Sequence, residues 1–181
     1  MTPVVLQQPK RVLFGVGCAG RAAAKLADAG RSRLYVVSSP TAARMNAPLV
    51  DSWRARGLAV MIDDTVKREP DIGLFEAVLS RARAFQPDGI VGLGGGSPLD
   101  VAKLVAALLD GRQGVRETFG IGNLRGRAVY LACIPTTAGT GSEVTPWATI
   151  WDRGRMKKHS LHLAQTWPSH AVIDPQLMLS L

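Results

Sequence analysis

The sequence is poor in cysteine and aromatic residues, and it contains no long hydrophobic run. Its two cysteines, Cys18 and Cys133, are too few for a disulfide framework and are typical of a reducing cytoplasm. No apolar stretch approaches the length of a membrane span, and residues 1–10 lack the apolar core of a signal peptide. We therefore expect a cytoplasmic, globular protein that has no membrane partner.

Acidic residues are also in short supply. The chain has 14 aspartates and glutamates against 22 lysines and arginines, which gives a formal net charge of +8. Nucleic-acid binding is one explanation of such an excess. However, the basic residues are spread along the whole chain with few aromatics among them, and the densest group lies at 153–158. We therefore expect no nucleic-acid partner and interpret the charge as a solvated surface that attracts an anionic cofactor.

Short apolar runs alternate with helical segments between residues 11 and 110. This alternation predicts an α/β fold of the Rossmann-like kind, with a parallel sheet covered by helices on both faces. A chain of 181 residues, 46% of them hydrophobic, is long enough for one such domain over 1–181. Residues 111–128 are predicted to form a long connection. The strands are predicted at 11–14, 34–37, 58–62, 90–93, 129–134, 147–151 and 171–173.

The strand at 90–93 leads into three consecutive glycines, Gly94, Gly95 and Gly96. Glycines allow positive φ and the close approach of another group to the backbone. Ser97 is predicted to cap the helix that follows, with Pro98 at its first position and Asp100 three residues after the cap. The N–H groups at such a helix start bind phosphate well, although a tight turn without a ligand is an open alternative.

A second turn, at 135–143, is rich in small hydroxyl side chains and follows the strand at 129–134. Its hydroxyls can donate to phosphate or ribose oxygens, although serine and threonine also close turns and cap helices. Carboxyl ends of parallel strands share one sheet edge, so we expect both turns to line one cleft. Neither turn ends in the Gly-Lys-Ser/Thr of a P-loop, and the ordinary dinucleotide fingerprint after the first strand lacks its downstream acid.

Together these motifs resemble the iron-dependent alcohol dehydrogenases. The resemblance rests on Gly94-Gly-Gly-Ser97 with Asp100 and Lys103, and on the long block Ile134-Pro-Thr-Thr-Ala-Gly-Thr-Gly-Ser-Glu-Val-Thr145. It implies an N-terminal nucleotide-binding domain like that of dehydroquinate synthase and a C-terminal helical domain. It also implies hydride transfer between NAD or NADP and a small alcohol or aldehyde, with a divalent metal that is usually iron and sometimes zinc.

The resemblance also implies which residues contact the cofactor. Glycines and Ser97 would hold the pyrophosphate, the threonine turn would surround the diphosphate and the nicotinamide ribose, and Lys158 would reach ribose hydroxyls. Ser39 stands where many NAD-using members carry an acidic residue, and with Arg44 close by it leaves NADP open beside NAD. The implied cofactor-binding residues are Ser39, Gly94, Gly95, Gly96, Ser97, Asp100, Thr136, Thr137, Thr140, Thr145 and Lys158.

No metal ligand and no catalytic residue is expected in this chain. The family's ligands, an aspartate and three histidines, follow the Asp174-Pro175 motif, and the sequence ends at Leu181 before any of them. His159 and His162 have a helical i, i+3 spacing, but a histidine pair without a carboxylate is more typical of a surface. We therefore expect the chain alone to be catalytically inactive.

Two further expectations concern the end of the chain and the alternatives to this assignment. An apolar face around Ile173, Leu177, Met178 and Leu181 is expected to self-associate, which predicts a homo-oligomer. A glycerol dehydrogenase or dehydroquinate synthase type of relative is an alternative enzyme. A nucleotide-binding module without catalysis is the alternative from another functional class.

Overall fold

The computed structural model describes residues 7–121, 124–125 and 128–179. Its helices are α1 (Ala22–Asp28), α2 (Pro40–Met45), α3 (Ala47–Arg54), α4 (Ile72–Phe85) and α5 (Gly96–Leu108). Its strands are β1 (Arg11–Phe14), β2 (Arg33–Ser38), β3 (Ala59–Asp63), β4 (Gly89–Gly94), β5 (Gly120–Ile121), β6 (Tyr130–Pro135), β7 (Trp147–Asp152), β8 (Lys157–His162) and β9 (His170–Ile173).

Six of these strands form one parallel sheet in the order β1-β9-β6-β4-β2-β3. A separate hydrophobic core covers each face. Side chains of α4 and α5 build one core, and side chains of α1 and α3, including the fully buried Trp53, build the other. The predicted Rossmann-like sheet with helices on both faces is therefore confirmed.

The centre of this sheet explains why a cleft opens where it does. β4 lies between β2 and β6, and all six of its residues are buried. The helix that follows β4 packs on one face of the sheet, whereas α3, downstream of β2, packs on the other. Neighbouring strands whose connections leave toward opposite faces open a crevice at their carboxyl ends, and ligands of open α/β sheets collect in such crevices.

A second, three-stranded sheet of order β5-β8-β7 was only partly expected from the sequence. β7 was predicted, but β8 and the short β5 were missed because the basic run and the 111–128 connection lack an apolar signal. The helical interpretation of His159 and His162 was wrong, since both residues lie in β8. His159 stacks on Phe119 at a ring distance of 3.8 Å, and His162 meets the ring of Trp147 edge-on.

The start of α5 also differs from the prediction. The N-cap is Gly95, not Ser97, and the helix begins at Gly96. Pro98 is therefore the third helical residue instead of the first. The earlier start follows from an extended backbone at Gly95, whose φ and ψ are −76° and −170°. Because a glycine cap has no side chain, it leaves the first N–H groups of α5 for other acceptors.

Asp174 attaches the C-terminal segment to the segment that follows β1. Its carboxylate accepts hydrogen bonds from the N–H groups of Gly17 and Ala19, both at 3.1 Å. Leu177 packs against the core that α1 and α3 build, whereas Leu179 is 81% exposed and Leu181 lies outside the described residues.

In the part of the chain that is described, no helix has the length and apolarity that crossing a membrane requires.

We predict that Gly92→Ala destabilises the fold, because β4 and α5 are packed too closely there for a methyl group. A Cβ at this position would lie 2.9 Å from Leu99 Cδ2 and 3.2 Å from the Leu99 backbone. We expect a loss of about 1–3 kcal/mol, measured by urea denaturation. The matched control is Gly73→Ala in α4, where the new methyl group would have ordinary contacts only. Equal midpoints for both variants would contradict the prediction.

Candidate functional site

The glycine turn and the threonine turn lie side by side at the carboxyl edge of the sheet. Gly94 and Pro135 are paired in register, and Thr136 N donates to Gly94 O at 2.9 Å. A Cβ on Gly96 would lie 3.0 Å from Thr140 Cγ2, and a Cβ on Gly95 would lie 3.4 Å from Thr137. The two turns therefore line one cleft, as predicted, and the missing Cβ of Gly96 allows their close contact.

Two cavities open on either side of this contact and share Gly96, Ser97 and Glu69. One, here called the hairpin cavity, has a volume of about 380 Å³. It is lined by Glu69, Pro70, Gly96, Ser97, Asp100, Thr140, Ser142, Thr145, Trp147, Thr149, Trp151 and Lys158. The other, here called the α2 cavity, has a volume of about 340 Å³. It is lined by Ser39, Thr41, Ala42, Met45, Asn46, Val66, Lys67, Arg68, Glu69, Gly95, Gly96, Ser97, Pro98, Thr136, Thr137 and Leu177.

Ten of the eleven predicted cofactor-binding residues line one or both of these cavities. The exception is Gly94, whose φ of +146° turns the chain and whose missing Cβ makes room for Pro98. Arg44 is likewise not among the residues that line the α2 cavity. Thr41, Ala42 and Met45 form the side of α2 that faces this cavity, and Arg44 lies roughly 100° around the helix from it. The basic residues at this cavity are instead Lys67 and Arg68.

A buried polar network joins α5 to the threonine turn and to β7. The Lys103 ammonium donates to Ser142 Oγ at 2.8 Å and to the carbonyl of Trp147 at 2.7 Å. Ser142 Oγ in turn donates to Asp100 Oδ1 at 2.7 Å, and Thr149 N donates to Asp100 Oδ2 at 3.0 Å. From its spacing, the sequence suggested that Asp100 bonds back to the predicted helix cap. In the structure its carboxylate accepts these two bonds instead. Its carboxylate is held at the wall of the hairpin cavity.

Burial shifts the pKa values of both charged groups in this network. It raises the pKa of Asp100, against the opposing effect of Lys103, and it lowers the pKa of Lys103, whose side chain is fully buried. The neighbouring Cys133 thiol, also fully buried, has its pKa raised to about 12 by burial, so it stays protonated at neutral pH. An ammonium buried in this way remains stable only because acceptors surround it.

Glu69 links the β7–β8 hairpin to the loop between β3 and α4. Its two oxygens accept hydrogen bonds from Lys158 Nζ and Trp151 Nε1, both at 2.6 Å. The backbone adds a bond from Trp151 N to Pro70 O at 2.9 Å, and Arg153 pairs with Asp71 at 2.7 Å. Lys158 is thus held at the hairpin cavity by a carboxylate, although its side chain is 44% exposed.

Four residues of the site were not identified as such from the sequence. Lys103 was noted only as part of a motif, and its burial beside Ser142 depends on a residue 39 positions away. Glu69 and the pair of Lys67 and Arg68 precede α4 in a segment that contains no glycine. Spacing offered one clue, since Asp100 and Lys103 lie three residues apart on one side of a helix.

Comparison with known proteins agrees with this geometry. A family model described as iron-containing alcohol dehydrogenase matches residues 9–175. The chain belongs to this family. The match confirms the relationship that the glycine and threonine motifs indicated, and it covers both turns and the hairpin.

Relatives of the chain within the iron-containing alcohol dehydrogenase family include two aldehyde reductases. The chain is 37% identical to the phosphonoacetaldehyde reductase of Streptomyces viridochromogenes over 154 residues, which are 81% of this chain and 38% of that protein. It is 28% identical to the sulfoacetaldehyde reductase of Bilophila wadsworthia over 174 residues, which are 95% of this chain and 45% of that protein. The chain thus spans less than half the length of these relatives.

A solved structure of the family superimposes closely on the chain. The sulfoacetaldehyde reductase of Bifidobacterium kashiwanohense, crystallised in complex with NAD+, has a TM-score of 0.92 and 26% identity. The superposition covers all of this chain and 48% of that one. The fold described above is therefore that of about half of such a protein.

The described residues do not form a site for the metal after which the family is named. No group of three or more histidine, cysteine, aspartate or glutamate side chains within them could hold a metal ion. His159 and His162 are engaged with aromatic rings instead. We accordingly assign no metal-binding role to these residues.

We predict that Ser142→Ala destabilises the protein by about 1–3 kcal/mol, because the change leaves a buried ammonium and a carboxylate each short of a partner. Thr145→Val is the matched control, since it removes a hydroxyl from the same cavity wall. Thr145 Oγ1 makes no hydrogen bond within the described residues. Chemical denaturation of both variants provides the measurement. A Ser142→Ala curve that coincides with that of Thr145→Val would show that the network contributes nothing to stability.

Proposed function

We propose that this chain binds the nicotinamide dinucleotide of an alcohol dehydrogenase that interconverts a small alcohol and its aldehyde. The observation that carries the proposal is the pair of cavities that meet at Gly96 and Ser97. A dinucleotide has two nucleoside ends joined by a pyrophosphate, and the two cavities joined at a helix start match that division. The cofactor, NAD or NADP, supplies or accepts the hydride when it is bound.

The pyrophosphate belongs at the junction of the two cavities. Gly96 and Ser97 are the first residues of α5, and their N–H groups have no acceptor inside the helix. The helix dipole adds partial positive charge at this end. Without a side chain on Gly95 or Gly96, a phosphate can approach the backbone, and Thr136 and Thr137 line the same cavity. These groups match an anion that accepts several hydrogen bonds.

The hairpin cavity suits the nicotinamide ribose. Thr140 and Thr145 offer hydroxyls there, and Lys158 offers an ammonium whose position Glu69 fixes. Asp100 presents a carboxylate that can accept a hydrogen bond from a ribose hydroxyl or an amide. Trp147 and Trp151 supply flat apolar surface. In this arrangement the chain's own residues bind and orient one reactant of the hydride transfer.

The activity of the whole protein is also part of the proposal. The named relatives act on phosphonoacetaldehyde and sulfoacetaldehyde, which supports a small aldehyde as substrate. Iron is the metal that the family name implies for the complete enzyme. The inactivity of the present chain alone stays a prediction. It is checked by assaying the chain and a full-length protein side by side for reduction of a small aldehyde with NADH and NADPH.

Two accompanying features of the proposal concern the protein's surroundings. The buried free thiols of Cys18 and Cys133 support a reducing compartment such as the cytoplasm. Half-buried Met178 and exposed Leu179 support a homo-oligomer that covers this segment. Light scattering would contradict the oligomer if the chain ran as a monomer at all concentrations.

The proposal predicts that Gly96→Val weakens dinucleotide binding by at least about tenfold, since its side chain would fill the junction between the two cavities. Quenching of tryptophan emission on addition of NADH or NADPH measures the affinity, because two tryptophans line the hairpin cavity. The matched control is Gly20→Val, as a Cβ on Gly20 meets nothing within 4 Å. If wild type binds neither dinucleotide, or Gly96→Val binds as wild type does, the proposed site is wrong.

A further inference from the structure

The α2 cavity is lined by two basic residues that are in no salt bridge within the described residues, although the charge of Arg68 helps to lower the pKa of Asp71. Lys67 and Arg68 line it and are both exposed. Neither side chain forms a salt bridge within the described residues. The carboxylate that shares the cavity wall, Glu69, has both oxygens occupied by Lys158 and Trp151 on the hairpin side. The α2 cavity therefore has an excess of positive charge.

The backbone of the loop that carries these two residues is anchored to the end of β2. Val66 N donates to Ser38 O at 3.3 Å, and the Val66 side chain is only 2% exposed. Ser38 is the last residue of β2, and Ser39 follows it at the start of α2. Lys67 and Arg68 come directly after the anchored Val66. The loop is thus tied to the end of β2, and the two basic residues flank the same cavity as Ser39.

Ser39 adds a second observation about this end of the cavity. In dinucleotide-binding folds, an acidic residue after the second strand binds the 2′-hydroxyl of the adenosine ribose and repels a phosphate at that position. Here the residue is a serine, whose Oγ caps α2 by accepting a hydrogen bond from Ala42 N at 3.2 Å. No negative charge is present at the position where a 2′-phosphate would be rejected.

From these observations we infer that the α2 cavity accepts the 2′-phosphate of NADP, that Lys67 and Arg68 bind it, and that the chain prefers NADP to NAD. The inference rests on the proposed dinucleotide function and names the form of the cofactor. Charge-assisted hydrogen bonds from Lys and Arg to a phosphate are among the stronger interactions in proteins. Two cations facing one dianionic group therefore outweigh the hydrogen bonds that a bare ribose hydroxyl could make.

The test compares nucleotides that differ only in the 2′-phosphate. Binding of NADPH and NADH is measured by tryptophan quenching, and binding of 2′,5′-ADP and ADP by calorimetry. We expect wild type to bind each 2′-phosphorylated member at least about tenfold more tightly than its partner. The double variant Lys67→Ala/Arg68→Ala should lose this difference and retain its affinity for NADH and ADP within about twofold.

A matched control removes two positive charges from the other edge of the sheet. Arg56 and Arg112 follow helices that return the chain to the amino-terminal edge, and neither residue lines the α2 cavity. The double variant Arg56→Ala/Arg112→Ala changes the net charge equally and should keep the preference for the 2′-phosphate. An equal loss in both double variants would mean that net charge, and not a site, attracts the phosphate, and it would overturn the inference.

A single substitution tests Ser39 without removing the helix cap. Aspartate caps helices as well as serine does, so Ser39→Asp should keep α2 and add one negative charge. We expect it to weaken 2′,5′-ADP binding by about tenfold or more and to leave ADP binding unchanged or improved. Wild type that binds NADH as well as NADPH would overturn the NADP preference and leave the proposed function intact. Wild type that binds neither would overturn both.

Discussion

The close contact of two turns is the constraint on which this structure depends. β4 and β6 are neighbours whose register pairs Gly94 with Pro135, so the segments that follow them must share the same space. They can do so because Gly96 has no Cβ to crowd Thr140, which a Cβ there would approach to 3.0 Å. The junction between the two cavities, and the free start of α5 within it, follow from that contact.

A second constraint is the buried network at the other side of α5. Lys103 ties the helix to Ser142 of the threonine turn and to the backbone of β7, and Asp100 receives bonds from both of those segments. The same helix therefore presents its first N–H groups at the junction and fixes the wall of the hairpin cavity. Rigid positioning of this kind is what a binding site requires of the scaffold that carries it.

The sequence predicted those features of the fold and site that are determined by residues close together in the chain, and it missed those that depend on distant residues. The parallel sheet and the shared edge of the two turns followed from apolar runs and glycines, which act within a few residues. The cap at Gly95 was missed because serine is the better capping residue by type, which favoured Ser97. In the structure the extended backbone ends two residues earlier, at Gly95, and the helix begins at Gly96. β8 was missed because its exposed lysines carry no alternation, and Arg44 was chosen over Lys67 and Arg68 because only the fold brings their loop beside Ser39.

The central claim is that a dinucleotide lies across the two cavities with its pyrophosphate at the start of α5. A crystal structure of the chain grown with NADP tests it most directly. The account predicts phosphate oxygens within about 2.7–3.2 Å of the N–H groups of Gly96 and Ser97, with the adenosine end beside Ser39. A dinucleotide bound elsewhere on the chain, or one with its adenosine in the hairpin cavity, would contradict it.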